Sequence, residues 1–183
     1  MGAVIPYHSV NVLTGIKSAR LIEAAQEYAD LIKKARRPLL VLGPLLLKWS
    51  LDGKLLIEYA LEIAKAANIP TCATAQVRAK MAELGVKPDS FYDVVEIINA
   101  LKDPNWRGVK KEGNHDLVLF FGIRSDLGEQ GLSVLKHFAP HLKTMTLCKF
   151  YFPNANYSLP NFRKDEQWKA FLESLIDNLK KGE

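Results

Sequence analysis

The sequence predicts an α/β fold, a three-layer sandwich built on a mostly parallel sheet. Two unbroken apolar runs that end in glycine carry this reading: Pro38-Leu39-Leu40-Val41-Leu42-Gly43 and Asp116-Leu117-Val118-Leu119-Phe120-Phe121-Gly122. A strand so continuously apolar is buried on both faces, which is the condition of a central strand in a parallel sheet. Between these runs stand segments with apolar residues three and four apart, the period of amphipathic helices. Strands alternating with such helices give a parallel sheet covered on both sides.

The elements follow in order. Residues 1–17 lack a helical period and contain Pro6 and Gly15, so they are expected to form an extended arm. Residues 18–183 then make one α/β domain, with no repeat or linker to divide it. A helix is predicted from about Ser18, its N-cap, to Arg36, with Leu21, Ala25, Tyr28 and Ile32 on one face. Lys33, Lys34, Arg36 and Arg37 load its C-terminus, where positive charge complements the helix dipole. After the first strand a second helix is expected from about Asp52 to Asn68, then a short strand over residues 69–74 opened by Pro70.

Ala75 to Leu84 reads as a short helix closed by Gly85. Ser90 and Asp93 stand at capping-box spacing before a helix that would turn Phe91, Val94, Val95, Ile98 and Leu101 inward. Residues 103–114 are rich in turn formers and precede the second apolar run. A helix over about 130–138, a strand over 144–148 and a final helix with Trp168, Phe171, Leu172, Leu175 and Leu179 on one stripe complete the chain.

Composition narrows the function classes. The chain has 183 residues, a formal charge of +5, 48% hydrophobic and 25% charged residues. At this length roughly 70% of the unfolded surface is buried on folding, enough for one good core. Cys72 and Cys148 stand far apart, and His137 and His141 are separated by Pro140. That set lacks the clustered ligands of a structural zinc or iron–sulfur site, so no metal is expected in this chain. Two isolated thiols in apolar runs fit a reducing, cytoplasmic setting. The longest apolar stretch is interrupted by Gly43 and Pro44 and is too short for a bilayer. Basic residues alternate with acids or sit at helix ends, so neither a nucleic acid nor a membrane is expected as partner.

In open α/β sheets, ligands bind outside the carboxyl ends of the strands. The strand ends here supply Gly43, Pro44, Thr74, Gly122, Arg124 and Ser125 as candidate cofactor-binding residues. Glycine lets a ligand approach the backbone, Ser125 or Asp126 is placed to cap a helix start, and Arg124 offers a charge-assisted contact to phosphate. The same glycines serve equally as turn punctuation. No G-x-G-x-x-G follows the first strand, and there is no Walker A sequence, G-x-S-x-G elbow or H-E-x-x-H. No catalytic set emerges. Apolar residues crowd the same strand ends, where loops are usually polar: Leu45, Leu46 and Trp49 after the first run, Phe150, Tyr151 and Phe152 after the last strand. They either bury each other or form an apolar patch of the kind that marks a partner site.

Two resemblances add to this reading. The stretches 35–43, 68–74 and 115–124 are similar, in order and spacing, to the DHS-like NAD/FAD-binding fold of thiamine-diphosphate enzymes (central domain), deoxyhypusine synthase and sirtuins. The Gly43-Pro44-Leu45 turn departs from the small-residue loops of flavin-binding relatives. The narrower resemblance covers nearly the whole chain. Lys34-Ala35-Arg36-Arg37-Pro38, Asp103-Pro104-Asn105-Trp106-Arg107-Gly108 and Gly113-Asn114-His115-Asp116 resemble the epsilon subunit of the archaeal acetyl-CoA decarbonylase/synthase complex, the small subunit of its carbon monoxide dehydrogenase component.

That resemblance implies a non-catalytic accessory subunit in one-carbon metabolism of the methanogenesis type. Its implied partner is a large alpha subunit with nickel–iron–sulfur clusters, two alpha with two epsilon chains, and epsilon self-association is a further expectation. The implied roles are stabilising alpha and assisting electron transfer to FAD. Leu45, Leu46, Trp49, Trp106, Tyr151 and Phe152 are the candidate partner-binding residues. The competing reading is a flavin- or nucleotide-binding redox module with its own site at the carboxyl edge of the sheet, FAD being the cofactor.

Overall fold

The computed structural model describes Val10 and residues 14–181; most of the expected arm, residues 1–9 and 11–13, lies outside the described residues. Seven strands form the main sheet: β1 (Arg20–Leu21), β2 (Pro38–Leu42), β5 (Thr71–Ala73), β6 (Ser90–Phe91), β7 (Leu117–Phe121), β8 (Lys143–Thr146) and β9 (Tyr157–Ser158). Their order is β1-β9-β8-β7-β2-β5-β6, and every neighbouring pair is parallel. The two apolar runs are the adjacent central strands, with Leu40 opposite Leu119 and Leu42 opposite Phe121.

Six helices connect the strands: α1 (Ala25–Lys34), α2 (Leu56–Ala66), α3 (Ala75–Glu83), α4 (Val94–Lys102), α5 (Ser125–Phe138) and α6 (Asp165–Lys180). Right-handed crossovers send α1 and α2 to one face, where both pack on α6, and α4 and α5 to the other, where they pack together. Leu39 to Leu42 and all five residues of β7 are therefore buried from both sides. The core is largely apolar, and two of its large polar-tipped side chains are satisfied by backbone: Tyr28 Oη donates to the Thr146 carbonyl (3.1 Å), and Trp168 Nε1 to that of Leu147 (3.0 Å). No helix among the described residues is long and apolar enough to cross a membrane.

Several predicted boundaries move. The helix expected from Ser18 begins at Ala25, because residues 19–22 are drawn into the sheet: Arg20 N–H donates to Asn156 O (2.9 Å) and Ile22 N–H to Ser158 O (3.1 Å). Asp52-Gly53 does not open a helix. With φ of 48° and 81°, these residues make the two-residue turn of a small antiparallel hairpin, β3 (Ser50–Leu51) and β4 (Lys54–Leu55). The capping box lies three residues later than predicted, with Asp93 and Glu96 as its members, and Ser90 belongs to β6. Phe91 and Val95 consequently face outward, while Val94, Ile98 and Leu101 are buried.

Candidate functional site: the carboxyl edge of β2 and β7

The chain leaves β2 through α2 toward β5 and leaves β7 through α5 toward β8, on the other side. The switch point, the usual ligand crevice of such sheets, therefore lies between the ends of β2 and β7. Gly43 and Gly122 meet there. Gly43 N–H donates to Phe121 O (2.8 Å) and Leu45 N–H to Gly122 O (2.9 Å). A Cβ on Gly43 would stand 2.3 Å from Gly122 O, and one on Gly122, whose φ is +73°, 2.4 Å from Leu46 Cγ. Each glycine is thus required by contact with its own chain.

Leu46, in the 3-10 turn Pro44–Leu47, is completely buried over Gly122. It fills the space that a pyrophosphate would need against a glycine turn. A shallow cavity of about 270 Å³ lies outside it, lined by Leu45, Trp49, Ile123, Arg124, Cys148 and Phe150, among others. That is smaller than the roughly 300–1,000 Å³ typical of ligand pockets. With Leu46 over Gly122, the switch point leaves no open glycine turn for the pyrophosphate of a dinucleotide such as FAD.

The electrostatics agree. Arg124 Nε and Nη2 both reach the Asp126 carboxylate (3.2 and 2.6 Å), and this hydrogen-bonded pairing holds the Asp126 carboxyl below its ordinary range. Asp126 sits in the first turn of α5, so the helix dipole and the arginine are already answered by an internal anion. Arg124, not Ser125, occupies the N-cap position, and no side-chain cap bond forms. Thr74, buried at the start of α3, leaves its Oγ1 without a partner and does not line this cavity.

What remains outward is aromatic. Trp49 (37% exposed) and Phe150 (49% exposed) flank both this cavity and a neighbouring one of about 340 Å³ reaching Lys149, Asp165 and Trp168. Trp49 meets buried Trp168 edge-on (6.3 Å between centroids), and Trp168 meets Phe121 in the same way (6.2 Å), anchoring the surface ring to the central sheet.

The candidate partner residues therefore separate. Leu45 and Trp49 line one face together; Leu46 and Phe152 are buried and serve the core instead of an outward surface. Tyr151 is half-buried, its hydroxyl donating to Ala19 O (2.7 Å) and tying down the segment before β1. Trp106 lies elsewhere, tilted against His115 (5.6 Å between centroids) ahead of β7, at the opposite end of that strand from Gly122. Phe150, absent from the candidate partner set, is the exposed ring of its loop; a loop has no period from which outward direction can be read.

Neither thiol is poised to react. Burial pushes Cys72 and Cys148 each up to about 11. Among the described residues no group of three or more His, Cys, Asp or Glu could hold a metal. His115 is structural. Its Nδ1 bonds to Arg37 O (2.9 Å) and its Nε2 accepts from Val109 N–H (3.2 Å), which sets a neutral ring with the proton on Nδ1; burial lowers its pKa to match. Sequence reasoning also missed Glu129 and Lys136 on α5. Glu129 accepts from Asn154 N–H (3.2 Å), and Lys136 donates to the carbonyls of Ala155 (2.6 Å) and Lys17. The signal available was two opposite charges seven residues apart flanking a buried helix stripe.

The fold and edge together define a class: a doubly wound parallel α/β domain whose ligand crevice is filled by its own chain and whose outer rim is aromatic. Residues 2–176 match the family described as CO dehydrogenase beta subunit/acetyl-CoA synthase epsilon subunit, and the chain belongs to that family. It is 41% identical over 172 residues, 94% of each chain, to the acetyl-CoA decarbonylase/synthase complex subunit epsilon of Methanothermobacter thermautotrophicus. It is 39% identical over 153 residues (82% of this chain, 80% of the relative) to subunit epsilon 1 of Archaeoglobus fulgidus. Subunit epsilon 2 of Methanosarcina mazei is 35% identical over 166 residues, 90% of this chain and 92% of its own.

Proposed function

We propose that this chain is a non-catalytic accessory subunit of a cytoplasmic carbon monoxide dehydrogenase/acetyl-CoA decarbonylase-synthase complex. In this reading it binds and stabilises a large nickel–iron–sulfur alpha subunit, two of each chain per assembly, through the aromatic rim at the carboxyl edge. Trp49 is the anchor, with Leu45 beside it and Phe150 completing the surface; Tyr151 contributes as a half-buried support, and Trp106, at the other end of β7, takes no part in this rim. The filled switch point carries the reading: Leu46 occupies the ligand position, and an exposed tryptophan backed by a buried one is what remains. Buried aromatics of this kind dominate interface energies.

The architecture supports kinship with DHS-like NAD/FAD-binding domains, with the crevice itself closed. Assistance to electron transfer toward FAD then belongs to the assembled complex and needs no dinucleotide pocket in this chain. Co-expression of the tagged full chain with the large subunit tests the proposal. The wild type is expected to retain that subunit on affinity purification, and Trp49→Asp to reduce its recovery at least about tenfold. Carbon monoxide oxidation with a dye acceptor by this chain alone would overturn the reading. So would saturable FAD binding by fluorescence titration at micromolar concentration, which would favour the redox-module alternative.

A further inference from the structure

The far edge of the sheet carries a separate surface. β6 is the last strand on that side, and among the described residues nothing pairs with its outer edge. Four of the eight exposed large apolar side chains among the described residues fall within positions 84–95: Leu84, Val86, Phe91 (58% exposed) and Val95 (56% exposed). Contiguous exposed apolar surface marks interaction sites, and Phe91, the most exposed of the four, lines a groove on this edge.

A groove of about 590 Å³ runs between α3 and the start of α4. Ala75, Ala79 and Ala82 give it a shallow floor, with the exposed Phe91 ring at its side. One wall is cationic: the Arg78 guanidinium lies 4.0 Å over the Phe91 ring and has no carboxylate partner among the described residues. The other wall is acidic, formed by Asp93 and Glu96. Each makes one capping bond to the backbone and keeps acceptor capacity for an incoming donor.

We infer that this groove is occupied by a second copy of the same chain, related by a two-fold axis across α3, β6 and α4. A two-fold contact needs a patch complementary to itself, because residue i of one copy meets residue j of the other and the reverse. This patch has that property. Arg78 of each copy faces Asp93 and Glu96 of the other, while Phe91 and Val95 are covered at the centre. A partner with a single sign of charge would leave one wall unanswered. The groove shares no lining residue with the two cavities flanked by Trp49, although α3 also packs on the turn Pro44–Leu47, and the inference does not depend on the function proposed above.

Sedimentation velocity on the isolated full chain tests the inference. The expected species is a concentration-dependent dimer of twice the 20.5 kDa chain mass. Phe91→Asp and Arg78→Glu are each expected to raise its dissociation constant at least about tenfold, with unchanged circular dichroism. Val95→Cys is expected to give a disulfide-linked dimer under mild oxidation, since Cys72 and Cys148 are buried. A chain that stays monomeric up to about 100 μM overturns the inference. A dimer indifferent to both substitutions does so too, as does a dimer in which Val95→Cys never cross-links. Trp49→Asp should leave the mass unchanged, so loss of large-subunit capture and loss of the dimer are separable results.

Discussion

At the residue scale, the glycines here differ in what they are for. Gly122 combines a left-handed φ with a Cβ position inside Leu46, so Gly122→Ala is both strained and overpacked. It is expected to cost about 2–4 kcal/mol in urea unfolding. Gly53 has a similar φ but open space around it, and Gly53→Ala should cost only about 1–2 kcal/mol; equal losses would mean that backbone strain alone decides. Glu129 sets a pH dependence. Burial first of all pushes its carboxyl up to about 7, against the lowering pull of the Asn154 hydrogen bonds and of Lys136. Between about pH 4.5 and 7 the folded chain holds a proton that the unfolded chain has released, so this group makes stability fall as pH rises across that window. Lys136 is pushed down to about 8, chiefly by burial; the unfolded chain holds the extra proton from there to about 10.5, so its contribution rises with pH. The difference in melting temperature between Glu129→Gln and wild type should therefore grow from pH 5 to pH 7.5 in favour of the variant. A constant difference would show that Glu129 titrates as an ordinary surface carboxylate.

At the scale of elements, the segments carrying the family resemblance hold one another. The Asp116 carboxylate accepts the backbone N–H groups of Arg36 and Arg37 (2.8 Å each), Arg37 Nε donates to Asn114 O (2.6 Å), and Asn114 Nδ2 reaches Asp103 O (2.7 Å). The most specific stretch of the sequence is thus a brace that fixes the entries to β2 and β7. Asp116→Ala, which strands two donors, is expected to cost about 1–3 kcal/mol, whereas Asp126→Ala removes an exposed pair and a first-turn charge and should lower the denaturant midpoint much less. This distribution explains what was legible in the sequence. β2 and β7 could be read because burial on both faces demands an unbroken apolar run. β1 and β9, two residues each, are too short to show any period and exist through backbone bonds to distant loops. The hairpin signal Asp52-Gly53 was present but overshadowed by the helical period that follows it. The filled crevice was half legible: Gly-Pro-Leu-Leu announces a crowded turn, yet only the fold brings Leu46 onto Gly122, nearly eighty residues away in sequence.

For the whole molecule, the formal charge of +5 suggests attraction to an acidic partner, but the carboxyl edge does not present that charge freely. Arg124 is paired with Asp126, and Lys149 with Asp165, so of the cations lining the two cavities around Trp49 and Phe150 only Lys48 has no ion pair among the described residues. Exposed pairs of this kind contribute little themselves, and their main effect here is to cancel a local field. Association through the aromatic rim should then draw on apolar burial, which salt does not screen, and only weakly on steering, which it does. The large subunit's dissociation constant, measured by calorimetry or biolayer interferometry from about 50 to 500 mM salt, is expected to rise less than about threefold. Asp126→Asn would unmask Arg124 and should steepen that dependence without weakening binding at low salt. A rise of tenfold or more in the wild type would move the interface away from the carboxyl edge, toward the unpaired lysines of the helical faces.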